Sequence, residues 1–134
     1  MGYTMIENLN PRQAWDLLQQ NTDAVLVDVR TKVEHDFVGH PLDAIHIAWK
    51  EAPDWQVNSM FVAEVKKAVP DYNAPVLLLC RSGQRSLDAA KTLEDAGFRR
   101  LINIVDGFEG PLDQHNHRGN LGGWRFNGLP WEQS

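Results

Sequence analysis

Short apolar runs alternate along the chain with segments of helical periodicity. Runs rich in aliphatic and β-branched residues predict strands at residues 24–27, 44–48, 76–79 and 101–105. Between them, apolar residues recur three and four positions apart, which is typical of helices with one buried face. Strands that alternate with helices pair in parallel through right-handed crossovers, so the pattern predicts an α/β layer fold.

Two segments carry the signals of a helix start. Asn10 precedes a proline and is followed by Gln13 at the spacing of a capping box. Thr31 and Glu34 have the same spacing, which predicts a short helix that Gly39 would stop.

The last part of the chain loses its periodicity and becomes rich in glycine and tryptophan. We expect one domain over residues 1–134, with a core of about residues 10–108 and a tail at 109–134. The tail is predicted to be irregular, with one helical turn at most. Three aromatic side chains are expected to hold it to the body: Trp124, Phe126 and Trp131.

Composition and charge exclude several classes of protein. A hydrophobic fraction of 43% and a charged fraction of 23% are ordinary for a globular protein. The net charge of −5 argues against a general nucleic-acid binder. No apolar run is long enough to span a membrane, and the first residues lack the pattern of a signal peptide. We therefore expect a soluble cytoplasmic protein without nucleic-acid or membrane partners.

The single cysteine of the chain, Cys80, directly follows the strand predicted at 76–79. Parallel α/β sheets bind ligands beyond the carboxyl ends of their strands. The free N–H groups of a following helix, its dipole and two nearby arginines would favour a thiolate there. A lone cysteine after an apolar strand is more commonly a small buried hydrophobe, but this polar context would not line a core. We therefore predict a nucleophile that faces an anionic substrate.

Polar residues also follow the strand at 24–27. We expect Asp28 to bond loop amides and Arg30 to pair with Glu34, which are structural roles. His115 and His117 lie two apart with no cysteine nearby, so no metal site is expected.

The segment that begins at Cys80 resembles the active-site loop of single-domain rhodaneses, which are sulfurtransferases. It reads Cys80-Arg81-Ser82-Gly83-Gln84-Arg85-Ser86. Three further pieces resemble the family in order and spacing: Val27-Asp28-Val29-Arg30 with Glu34, Gly39-His40 with Ala44-Ile45, and Gly97-Phe98 with Val105-Asp106-Gly107-Phe108. The chain departs from the family pattern at Pro41-Leu42-Asp43, where Ile-Pro-Gly is usual.

The resemblance implies a rhodanese-like three-layer fold, with a mostly parallel sheet between helices, and a catalytic Cys80 that needs no cofactor. Its thiolate would attack the outer sulfur of thiosulfate or a similar anionic donor. The resulting persulfide would pass its sulfur to cyanide, a thiol or a protein. Residues 81–86 would bind the substrate through loop amides, with either arginine on the anionic end of the donor. The site would be supported by Asp28, Arg30 and Glu34.

Other functions of the same fold remain as alternatives. Its phosphatases and arsenate reductases have a wider loop than the four residues that separate Cys80 from Arg85 here. The narrower ring suits a single sulfur atom, and there is no second cysteine to resolve an arsenate adduct. A non-catalytic regulatory module or sulfur carrier is also possible, although inactive members commonly lack the cysteine.

Overall fold

The computed structural model describes residues 6–134 as an α/β fold. The elements follow in this order: β1 (Glu7–Leu9), α1 (Pro11–Gln20), β2 (Val25–Asp28), a π-helical segment (Glu34–Val38), β3 (His40–Pro41), β4 (Ile45–His46), β5 (Lys50–Glu51), β6 (Gln56–Val57), α2 (Phe61–Ala68), β7 (Val76–Leu79), α3 (Gln84–Asp95), β8 (Leu101–Ile104) and β9 (Trp131–Glu132).

The main sheet has five strands in the order β1-β8-β7-β2-β4, and each pair is parallel. β7 lies at its centre and is buried along its whole length. Asp28 at the end of β2 lies opposite Leu79 at the end of β7. The carboxyl ends of these neighbouring strands therefore place the loop at Cys80 beside the loop that follows Asp28.

Helices cover both faces of the sheet, which confirms the three-layer arrangement. Alternate residues of a strand point to opposite faces. Val76, Leu78 and Cys80 accordingly join a cluster that α2 and α3 complete. Leu77 and Leu79 join the second cluster, with residues of α1 and the tail.

The helix starts form largely as the sequence predicts. Asn10 caps α1, and Gln13 completes the capping box. Thr31 and Glu34 also bond reciprocally, but the helix they start is only the five-residue π-helical segment. None of the helices in residues 6–134 is long and apolar enough to cross a bilayer.

The tail is mostly irregular and is packed onto the body by two of the three predicted aromatic residues. Trp124 is fully buried, and its indole N–H donates to the Pro130 carbonyl. Trp131 is partly exposed but meets the Phe108 ring edge-on, and it lies in β9, which pairs antiparallel with β3. The prediction for Phe126 is wrong, because 52% of it is exposed.

Candidate active site

The sulfur of Cys80 lies where β7 ends and α3 is about to begin. The backbone N–H of Gly83 donates to Sγ over 3.1 Å. Gly83 has a φ of 119°, in the left-handed region that glycine adopts without strain. This turn directs the Gly83 amide at the sulfur and starts α3 at the next residue. The first amides of a helix have no intrahelical acceptor, so positive potential gathers at the sulfur.

Ser86 approaches the same sulfur from inside the protein. Its hydroxyl oxygen lies 3.3 Å from Sγ and 2.5 Å from Oδ1 of Asn103 on β8. Asn103 in turn receives support from Asn8, because its Nδ2 donates to Oδ1 of Asn8 over 3.0 Å. Ser86 is fully buried, so it supports the sulfur rather than facing the pocket. The sequence offers one signal for this hydrogen-bond network, because Asn103 is a polar residue within an otherwise apolar strand.

The segment after β8 fixes the backbone at the start of the loop. Phe108 N–H donates to the Cys80 carbonyl over 2.8 Å, and Glu109 N–H donates to the Arg81 carbonyl over 3.0 Å. Gly107 makes this approach possible, since a Cβ built there would lie 2.3 Å from the Cys80 carbonyl oxygen. The position of the sulfur is therefore set from both sides of the loop.

The two loop arginines have different surroundings. Arg85 donates through both terminal nitrogens to the two carboxylate oxygens of Glu34, each over 2.8 Å. Burial alone would raise the pKa of Glu34, but the hydrogen bonds and charge of Arg85 hold it below its usual value. The Glu34 hydrogen bonds raise the pKa of Arg85 in return. Arg81 is exposed, and its side chain makes no hydrogen bond within residues 6–134.

The expected pair between Arg30 and Glu34 is wrong, because Arg30 bonds Asp28 instead. Nε and one terminal nitrogen of Arg30 donate to the two carboxylate oxygens over 2.9 and 2.7 Å. Asp28 also accepts from the Arg30 amide and from Nδ1 of His35. Burial alone would raise the pKa of Asp28, but these partners lower it to about 2. Both side chains are fully buried, and neither lines the pocket at Cys80.

A pocket of about 340 Å³ opens over the loop. Its lining residues are Lys50, Trp55, Cys80, Arg81, Ser82, Gln84 and Arg85. Lys50 and Trp55 come from the connection after β4. Lys50 carries no sequence signal, whereas Trp55 is an aromatic residue for which packing is the default expectation, but it is 52% exposed and lines the pocket. Among residues 6–134, no group of three His, Cys, Asp or Glu side chains is arranged to hold a metal ion.

Known proteins share this architecture. Residues 10–112 match the family model of the rhodanese-like domain. The chain belongs to this family. Membership indicates a sulfurtransferase-type enzyme, whose substrates in general are a sulfur donor and a sulfur acceptor.

Two curated relatives and one solved structure extend this assignment over nearly the whole rhodanese-like chain. An uncharacterised protein of Rickettsia conorii, RC0915, is 36% identical over 132 residues, covering 95% of this chain and 98% of that protein. The thiosulfate sulfurtransferase GlpE of Actinobacillus pleuropneumoniae serotype 5b is 31% identical over 132 residues, covering 98% and 97%. The crystal structure of Rv0390 from M. tuberculosis is 42% identical with a TM-score of 0.86, covering 96% and 98%.

Proposed function

We propose that this protein is a sulfurtransferase that takes a sulfane sulfur from thiosulfate or a similar anionic donor and carries it as a persulfide on Cys80. The observation that carries the proposal is the Gly83 N–H aimed at Sγ at the start of α3. A hydrogen-bond donor and a helix N-terminus at one sulfur direct positive potential at the reacting atom. The curated relative GlpE, a thiosulfate sulfurtransferase, supports the choice of donor.

In the first step, the Cys80 thiolate attacks the outer sulfur of thiosulfate. A new sulfur–sulfur bond forms, the old one breaks, and sulfite leaves with the electron pair. Arg81 is the loop arginine whose guanidinium makes no hydrogen bond to the described residues 6–134, so we place it on the sulfonate oxygens of the donor. Arg85 is already held by Glu34 and acts as a fixed part of the wall.

In the second step, the outer sulfur of the persulfide is transferred to an acceptor. Cyanide attacks it to give thiocyanate, and a thiolate attacks it to give an organic persulfide. In each case the pair of the breaking bond returns to Sγ, which the Gly83 N–H stabilises as a thiolate. The first-turn amides of α3 are available to the outer sulfur, because helix geometry provides them with no internal acceptor.

The surroundings of Arg85 favour sulfur transfer over phosphate hydrolysis. A phosphatase needs the arginine of such a loop to grip a tetrahedral oxyanion above the cysteine. Here both terminal nitrogens of Arg85 are occupied by Glu34, whose carboxylate would also repel a phosphate. A cytoplasmic location, and a thiol or a protein as the sulfur acceptor, stay predictions from the sequence.

The proposal is tested by mass spectrometry of the intact protein. After incubation with thiosulfate and removal of the excess, we expect a mass increase of one sulfur atom, which cyanide removes. Cys80→Ser is the matched control and should gain no mass. No adduct on the parent protein, or an equal adduct on Cys80→Ser, would show that Cys80 does not carry the sulfur.

A further inference from the structure

A second depression of about 460 Å³ adjoins the Cys80 pocket. Both are lined by Trp55, Arg81 and Arg85. The second depression adds Glu109 and Arg118 from the segment that follows β8. We call it the tail recess.

Arg118 is anchored at the wall of the tail recess. One terminal nitrogen donates to the Gly110 carbonyl over 2.8 Å, which holds the guanidinium in place. The side chain is only partly buried, and its other terminal nitrogen makes no hydrogen bond within residues 6–134. Arg118 therefore presents free N–H donors to whatever occupies the recess.

The charge balance of the tail recess favours an anion. Glu34 is neutralised by Arg85 through two hydrogen bonds. Arg81 and Arg118 then face the single carboxylate of Glu109, and neither forms an ion pair with it. Two guanidinium groups that form no ion pair within residues 6–134, set against one carboxylate, leave a net positive surface in a protein whose net charge is −5.

The tail recess adds about 460 Å³ beside the pocket at Cys80. Thiosulfate is a compact ion, and the pocket that contains Cys80 and Arg81 measures about 340 Å³ on its own. An occupant of both parts needs a sulfur at one end, a short carbon chain that passes the Trp55 ring, and an anionic group at the other end. A small organic thiol with a carboxylate has this arrangement, and a carboxylate matches the forked donors of arginine.

We propose that the tail recess is the acceptor site, in which Arg118 and Arg81 bind the carboxylate of a low-molecular-weight thiol acceptor. This inference rests on the proposed sulfurtransferase function. The acceptor thiolate attacks the outer sulfur of the Cys80 persulfide, the bond between the two sulfurs breaks, and its electron pair returns to Sγ. The products are an organic persulfide and the Cys80 thiolate, with no net oxidation. Arg118 is a specificity-determining residue for this step.

The test compares two acceptors that differ in charge, 3-mercaptopropionate and 2-mercaptoethanol, with thiosulfate as the donor. In Arg118→Gln, we expect the ratio of kcat/KM for 3-mercaptopropionate to that for 2-mercaptoethanol to fall about tenfold, mainly through KM. Taking the ratio within each variant removes the different intrinsic reactivities of the two thiols. Arg118→Lys keeps the charge and should recover part of the preference.

Arg99→Gln is the matched control, because Arg99 is an exposed arginine just before β8, at the opposite end of the strands from Cys80. It should leave the ratio unchanged. An unchanged ratio in Arg118→Gln would overturn the acceptor site, and so would an equal fall in Arg99→Gln. Persulfide formation on the parent protein separates the two proposals. If the persulfide forms but the ratio does not respond, only the acceptor site is wrong, whereas if no persulfide forms, the sulfurtransferase mechanism itself fails.

Discussion

The loops that follow β2 and β7 lie side by side at the carboxyl ends of neighbouring strands, and their polar groups are used in opposite ways. After β2, Asp28 and Arg30 are fully buried and bind each other. After β7, the Cys80 sulfur accepts one hydrogen bond, from the Gly83 N–H, and α3 begins at the next residue. The Arg81 side chain makes no hydrogen bond within the described chain. One loop satisfies its charges internally, and the other keeps donors available.

The contrast between the two loops explains why a charged pair is buried beside a reactive loop. A loop that must bind a substrate leaves donors unpaired, so it cannot hold itself rigid through its own side chains. Its neighbour supplies the rigidity, because an ion pair removed from water has few alternative partners. Glu34 connects the two loops, since it follows β2 in the chain and binds Arg85 on α3.

The largest expected effect is a difference in the free energy of unfolding between substitutions in the two loops. Asp28→Asn leaves the buried Arg30 without its carboxylate, so we expect the free energy of unfolding to fall by about 3–5 kcal/mol. Cys80→Ser, at an equally buried position after the neighbouring strand, should change it by less than about 1 kcal/mol, because the serine oxygen can still accept the Gly83 N–H. Urea unfolding curves at neutral pH measure both. A larger loss in Cys80→Ser than in Asp28→Asn would reverse the assignment of roles.

The next effect is a dependence of stability on pH. The pKa of Asp28 falls from 3.8 to about 2 in the folded protein, so its carboxylate stabilises the fold above the higher value. This contribution, about 2 kcal/mol, should disappear as the pH falls through the folded pKa. The stability difference between the parent and Asp28→Asn should therefore narrow between about pH 5 and about pH 2. A constant difference over this range would show that Asp28 is not the group that titrates.

The smallest effect tests the connection between the loops. A double-mutant cycle of Glu34→Gln and Arg85→Met should give a coupling of about 1 kcal/mol, a value reduced by solvent because both groups are partly exposed. The Lys32–Asp36 pair on the neighbouring surface is the matched control, since the Lys32 side chain is 74% exposed. Its cycle should show no measurable coupling. Equal coupling in the two cycles would mean that Glu34 and Arg85 form an ordinary surface contact.

The features that depend on local sequence were predicted well. The strand at residues 76–79 has the same bounds in the structure, because a continuous apolar run can only be stabilised inside the sheet. The capping box at Asn10 is also present, since it requires only residues three apart. The placement of Cys80 followed from the order of strand, loop and helix.

The features that were missed depend on contacts between distant residues. β3 and β9 have two residues each and pair across about ninety positions, so neither carries a periodic signal. Arg30 and Arg85 both have a carboxylate within reach, and only the packed structure decides that Glu34 binds Arg85. Arg118 lies in a stretch without periodicity, and only the folded tail brings it near the loop.

Gly107 has a consequence for how this protein tolerates change. A methyl group added there would clash with the carbonyl oxygen of Cys80, because the two atoms would lie closer than van der Waals contact allows. Gly119, also in the segment after β8, has nothing within 4 Å of the same added atom. We therefore expect any side chain at Gly107 to clash with the backbone of the reactive residue, whereas no such clash arises at Gly119. The geometry at the sulfur thus depends on a residue that has no side chain.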